Sequence, residues 1–154
     1  MGDESSSVMG YSRNLSASNS LCLCLSTIGC SLEQRIQGYG ALEPRNSREQ
    51  IIFDYHQVLK ERRFSDAYQF IRGSEYFDDR RHFISNRKTD HQQLPTLIAI
   101  GEEYKYEQGD RCDYLYEVFH IGPGHTQVRS VYVLLHAHPD KPGKCQIRGY
   151  KAVF

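Results

Sequence analysis

The sequence predicts an α+β domain in which helices come first and a four-stranded antiparallel meander follows. Three observations carry that prediction. Ile51, Ile52, Tyr55, Val58 and Leu59 recur at helical spacing behind Ser47 and Gln50, which stand three apart as in a capping box. After Pro95 the character changes to apolar and aromatic runs of strand type. Short connections carrying Gly or Pro, at 108–111, 122–125 and 139–143, then cut this region into strands of hairpin length. Eleven Tyr and seven Phe in 154 residues favour a packed, strand-rich domain over a disordered chain. A formal net charge of zero gives no long-range pull toward nucleic acid or anionic lipid. No run approaches the roughly 18 apolar residues of a membrane-spanning helix.

Taken in order, residues 1–20 are rich in Ser and lack periodicity, and LCLCLSTIGCS at 21–31 is the one long apolar run of the first third. Residues 31–46, with Gly38, Gly40 and Pro44 as breakers, read as a linker between a signal-like or disordered segment (1–30) and the domain (47–154). The capped pattern predicts a helix over 47–62. Ser65 is placed to cap a second short helix carrying Ala67, Tyr68, Phe70 and Ile71, with Gly73 to end it. SEYFDDRRHF suits a further short helix, and NRKTDHQQLP suits a loop.

Strands are expected at about 97–107, 112–121, 126–138 and 144–153. Tight turns would set Glu107 opposite Cys112, Ile121 opposite Thr126 and His138 opposite Lys144. One face then collects mainly aliphatic residues such as Val118, Val133, Leu135 and Ile147. Ile98, Ile100, Tyr104, Tyr132, Arg148 and Tyr150 fall on the other.

Helix, short helices and C-terminal meander, carried by SREQIIFDYHQVLKERRFSDAYQFI and the hairpins from Leu97 to Phe154, resemble the NTF2-like (cystatin-like) superfamily. The resemblance is one of layout. It implies N-terminal helices packed on a curved antiparallel four-stranded β-meander, a cone whose mouth often holds a small ligand. Some members are isomerases or hydratases; many only bind, or dimerise through the sheet. The implied pocket candidates are Tyr55, Tyr104, Tyr132, Arg148 and Tyr150, with a small apolar or anionic ligand. A catalytic carboxylate has no aligned position, and Asp54 and Asp113 are candidates by residue type alone.

The order Arg13, polar spacer, Leu21–Ile28, Gly29-Cys30 resembles a bacterial lipoprotein signal peptide, read from Met9. That resemblance implies lipidation of Cys30 and a cell-envelope location by lipid anchor; without it, an apolar tail on a cytoplasmic domain is the alternative. His136 and His138 point to one side of a strand, the spacing of two metal ligands, but no third ligand is in register, so no metal or other cofactor is expected. Cys112 and Cys145 read as core thiols. Basic pairs such as Arg80-Arg81 are interrupted by acidic residues, which argues against a nucleic-acid face. The function expected is a non-catalytic binding or assembly module of the cell envelope. The alternatives are a small-molecule isomerase or hydratase and a soluble dimerisation domain.

Overall fold

The computed structural model describes residues 31–71, 79–89, 94–124 and 127–152. The apolar run at 21–30, Cys30 included, and Gly73 lie outside them. Strands β1 (Leu97–Lys105), β2 (Tyr114–Ile121), β3 (Arg129–Ala137) and β4 (Cys145–Ala152) form one sheet in the order β1-β2-β3-β4. Every neighbouring pair is antiparallel, as the short connections predict.

The register departs from the expected one at two β-bulges and across β2–β3, where Val118 faces Val131 instead of Arg129; that slip of two residues leaves each side chain on its expected face. Lys105 faces Tyr114 and Glu103 faces Tyr116, as tight turns require, but Ile100 faces Val118. The residues Gly101 and Glu102 therefore stand opposite Glu117 alone. In β4, Ala137 faces Cys145 and Leu135 faces Ile147, yet Leu134 faces Gly149, which leaves Arg148 as the extra residue. A bulge inserts one residue and so inverts the in–out alternation beyond it. Ile98 and Ile100 are thereby turned into the main core, and Tyr150 packs against it. This corrects the expected faces of all three.

Helix α2 (Ser47–Lys60) lies across that core face. Its N-cap is Asn46, whose side chain accepts from the Arg48 and Glu49 amides, one residue before the Ser47 cap that spacing suggests. The shift has a cause in Arg45. Its backbone amide and guanidinium both donate to the Glu49 carboxylate, which is fully buried, and Nη2 reaches the Gly101 carbonyl at 2.8 Å. One arginine so fixes the start of the helix to the β1 bulge. Arg48 adds a second tie, donating to Tyr116 Oη at 2.9 Å with its guanidinium 3.9 Å from the Tyr114 ring centre.

A short helix α3 (Phe64–Ala67) and a 3-10 turn at Tyr68–Phe70 follow, bringing Phe64, Ala67 and Tyr68 into the core. Helix α4 (Arg80–Thr89) begins at Asp79, whose side chain accepts from the Arg81 amide, and runs through residues expected in a loop. Phe83 explains the difference. It is fully buried against Tyr68, with ring centres 5.7 Å apart, and holds the helix on the core despite its polar sequence.

The segment expected as a linker is structured. Helix α1 (Leu32–Gln37) opens with a full capping box of Ser31 and Gln34. Ile36 buries itself on the opposite sheet face with Ala99 and Ile121, and Tyr39 packs on Phe119 at 5.0 Å. Ala41 then bridges Ile100 through two backbone hydrogen bonds. At Gly40 a Cβ would collide with the Ile100 carbonyl, so only glycine lets the two backbones approach.

Cys112 and Cys145 are joined in a disulfide, with Cα atoms 5.3 Å apart, which corrects their reading as thiols. Sequence separation of 33 residues hid the pair; the fold brings the end of the β1–β2 connection over the start of β4. Closing a loop of that length restricts the unfolded chain by roughly 2–4 kcal/mol. We expect Cys112→Ser to lower the unfolding free energy by about that amount, and reductant to do the same to the wild type. Denaturation midpoints that ignore reductant would show that the bond contributes nothing.

Candidate functional site

The face of α2 that carries Ile52, Tyr55, His56 and Leu59, at i, i+3, i+4 and i+7, points at the sheet. Beyond Tyr55 the contact opens into a cavity of about 220 Å³. Its walls are Tyr55, His56 and Leu59 from α2, Arg87 from α4, Leu94 and Pro95 before β1, Val118 and His120 from β2, Val131 from β3 and Tyr150 from β4. Arg87 arrives one turn after Phe83 and stands 5.6 Å from that ring. The disulfide lies at the other end of β2 and β4.

The aromatic groups meet edge and face. Tyr55 and Tyr150 rings are 5.8 Å apart, and His56 stands nearly perpendicular to Tyr150 at 6.1 Å. His56 Nε2 and Tyr150 Oη are 3.4 Å apart. The Tyr55 hydroxyl and His56 Nδ1 are buried with no hydrogen-bond partner among the described residues. An unmatched buried polar group costs about 1–3 kcal/mol, and the one described side chain that acts on the Tyr55 phenol as a hydrogen-bonding neighbour is Tyr150.

Burial also sets the charge. It pushes the His56 imidazolium down to about 3, with electrostatic repulsion from His120 and Arg87 adding to the effect, so His56 is neutral at pH 7. Burial pushes the Tyr55 phenol up to about 12 and raises Tyr150 well above its ordinary value. Arg87 opposes both of these shifts. Its field therefore reaches all three polar groups, and no described residue on the cavity wall is acidic.

Of the residues singled out from sequence, Tyr55 and Tyr150 come together here. Tyr104, Tyr132 and Arg148 do not. Tyr104 and Tyr132 pack at 6.4 Å on the outer face, where Tyr104 is 44% exposed and donates to Glu102. Arg148, displaced by the bulge, edges a shallow groove with Leu134 and Tyr106. Asp54 is exposed and accepts from Gln50, and Asp113 accepts from the Asp110 amide in the β1–β2 connection. His136 Nε2 pairs with Gln146 at 2.9 Å, and His138 Nδ1 accepts from the Asp140 amide. No group of three or more His, Cys, Asp or Glu able to hold a metal occurs among the described residues.

Sequence reasoning missed His56, Arg87 and His120. His56 carried a usable signal, since it falls within the apolar stripe of α2 rather than on its polar side. Arg87 and His120 carried none.

Comparison of the chain with protein-family models, curated proteins and solved structures finds no match. Among the described residues no helix is long and apolar enough to cross a membrane.

The buried imidazole makes stability depend on pH. His56 titrates near 6.5 when unfolded and near 3 when folded, so the unfolded chain binds the extra proton as pH falls through 6.5. Stability from this group is whole above pH 6.5, is lost progressively down to about pH 3, and falls no further below that. Between pH 7 and pH 5 the loss is about 2 kcal/mol. We expect His56→Gln to remove that slope relative to wild type, read from urea denaturation at both pH values. Parallel profiles would place His56 in water.

Proposed function

We propose that this chain is a non-catalytic binding module of the cell envelope, an NTF2-like cone that holds a small ligand between α2, α4 and the sheet. One observation carries the reading: a cavity between helices and sheet, walled by apolar side chains, into which the unmatched Tyr55 hydroxyl and His56 Nδ1 are built. The absence of Asp or Glu from the described cavity wall favours binding over the isomerase or hydratase alternative, whose chemistry draws on a carboxylate base. Dimerisation through the outer sheet face concerns other residues and is compatible with the cavity being occupied.

Envelope location draws on two independent features. The Leu21–Cys30 run resembles a lipoprotein signal, and the Cys112–Cys145 disulfide belongs to oxidising compartments. On this reading Cys30 carries the acyl chains that tether the domain.

Val131 lines the cavity, so Val131→Phe fills it. A thermal-shift screen of small metabolites should find a compound that raises Tm by several degrees in wild type and not in Val131→Phe. A compound that stabilises both equally binds elsewhere and overturns the cavity reading. The tether is tested by intact mass of the protein from its native host. A mature chain beginning at Cys30 with added acyl mass is expected, and lost in Cys30→Ala; an unprocessed mass defeats the envelope assignment.

A further inference from the structure

We infer that the cavity takes a small neutral molecule with one hydroxyl on an apolar body, the hydroxyl closing the open ends of a Tyr55–Tyr150–His56 hydrogen-bond chain. The inference rests on the cavity being the ligand site and adds the chemistry of the occupant.

The chain is set by the fold. Tyr55 and His56 are neighbours on α2, and Tyr150 reaches both from β4. The Tyr150 hydroxyl lies 3.4 Å from His56 Nε2. Its ring centre is 5.8 Å from that of Tyr55, and it is the hydrogen-bonding neighbour of the Tyr55 phenol. Beyond that chain neither the Tyr55 hydroxyl nor His56 Nδ1 has a partner among the described residues, and both atoms are buried.

Counting hydrogens fixes what the two ends can do. Each phenol carries one, and a histidine with an ordinary value of about 6.5 is already mostly neutral at pH 7, so its ring carries one as well. The two links inside the chain use two of these three. When Tyr55 donates to Tyr150 and Tyr150 to Nε2, the third hydrogen sits on Nδ1 and the Tyr55 oxygen keeps a spare lone pair. When both links run the other way, Tyr55 has its hydrogen free and Nδ1 is a bare acceptor. The remaining arrangement, with Tyr150 accepting from both sides, leaves the Tyr150 proton stranded. In either workable direction the chain therefore ends in one donor and one acceptor.

A single hydroxyl matches that pair, because it gives one hydrogen and takes another. A carboxylate or a ketone only accepts and an ammonium only donates, so each leaves one end unmatched. Water has the same two-sided capacity, and a hydroxyl ligand reproduces the bonds of the water it displaces. The rest of the occupant meets Leu59, Leu94, Pro95, Val118 and Val131, which favour an apolar body and offer nothing to a second polar group. Size agrees: a dry cavity of about 150 Å³ suffices for benzene, so one of about 220 Å³ takes a six-membered ring bearing one hydroxyl.

The test is calorimetric titration of the full chain at pH 7 with cyclohexanol, cyclohexanone, cyclohexanecarboxylate and cyclohexylammonium, which share the ring and differ at the polar head. Cyclohexanol should bind at least tenfold more tightly than each of the others and should shift the His56 Nδ1 resonance in a nitrogen-15 spectrum. In Tyr55→Phe, with Tyr150 donating to Nε2, only the Nδ1 hydrogen remains at the cavity, so alcohol and ketone should bind alike; an unchanged Tm shows that the variant is folded. The wild-type ranking is decisive whatever that variant does. A ketone or either ion that binds wild type as tightly as the alcohol, and is lost in Val131→Phe, overturns the hydroxyl and leaves the ligand cavity standing. A tenfold preference for the alcohol that persists in folded Tyr55→Phe overturns the chain. Cyclohexanol that binds Val131→Phe as tightly as wild type sits elsewhere and overturns the inference. So does failure of all four probes to bind, after which the metabolite screen against Val131→Phe decides separately whether the cavity is a ligand site.

Discussion

The two β-bulges are the constraint on which the rest of this structure depends. A strand with unbroken alternation offers one residue set to each face. Here β1 and β4 each change sets partway along, at Gly101–Glu102 and at Arg148. Near the hairpin turns the core-side residues are Glu103, Tyr116, Leu135 and Ile147; beyond the bulges they are Ile98, Ile100 and Tyr150. Unbulged, β4 would aim Arg148 and Tyr150 to the outer face together, and the α2 side would lose the phenol that meets His56. Bulges also increase local twist and bend the strand, which helps a sheet curve around a helix.

The bulge in β1 is not left to the sheet alone. Arg45 donates to the Gly101 carbonyl while holding the buried Glu49 carboxylate, so the distortion and the first turn of α2 are tied to one guanidinium. Glu49 can be buried because its oxygens are matched: it accepts from the Arg45 amide and side chain in a fixed geometry. At the other end of the same helix the arrangement is reversed. Tyr55, buried, and His56, partly buried, are neutral groups, and the helix delivers polar atoms there without delivering partners from its own turn of chain. One helix therefore contributes a saturated polar cluster at its start and an unsaturated one in its third turn.

How much of this was legible in the sequence follows from where the information is local. Asn46 to Lys60 announces itself through capping residues and a 3.6-residue stripe, and the hairpins through Gly and Pro in short connections. Those signals need only neighbours. A bulge has no such signature in β4, because Arg148 is an ordinary strand residue whose displacement is decided by what lies across the pair. That one unseen residue put Tyr150 on the wrong face and grouped it with Arg148 and Tyr132. The second half of helix α4, beyond Phe83, was lost for a related reason. Its sequence is nearly all polar, and burial of Phe83 against Tyr68 with Ile84 beside it holds it on the core, so Arg87 was read into a loop. The disulfide is the extreme case, a contact between residues 33 apart that only the finished sheet brings within 5.3 Å.

The cross-link and the cavity also divide the domain along the strands. At the end where β2 and β4 begin, the disulfide, the Arg48 contacts to Tyr114 and Tyr116, and the Arg45 cluster fix helix to sheet. At the end where β2 and β4 finish, α2 faces the sheet across open space with unmatched polar atoms. Stability in such a domain is uneven, and segments with fewer buried contacts open at lower cost than the body they are attached to. A cavity that admitted a ligand would gain from that division. The fixed end holds the relative positions of Tyr55 on α2 and Tyr150 on β4, so that ordering cost is met by folding rather than by binding. Any hydrogen bond completed to His56 Nδ1 would remove a penalty already present in the empty protein.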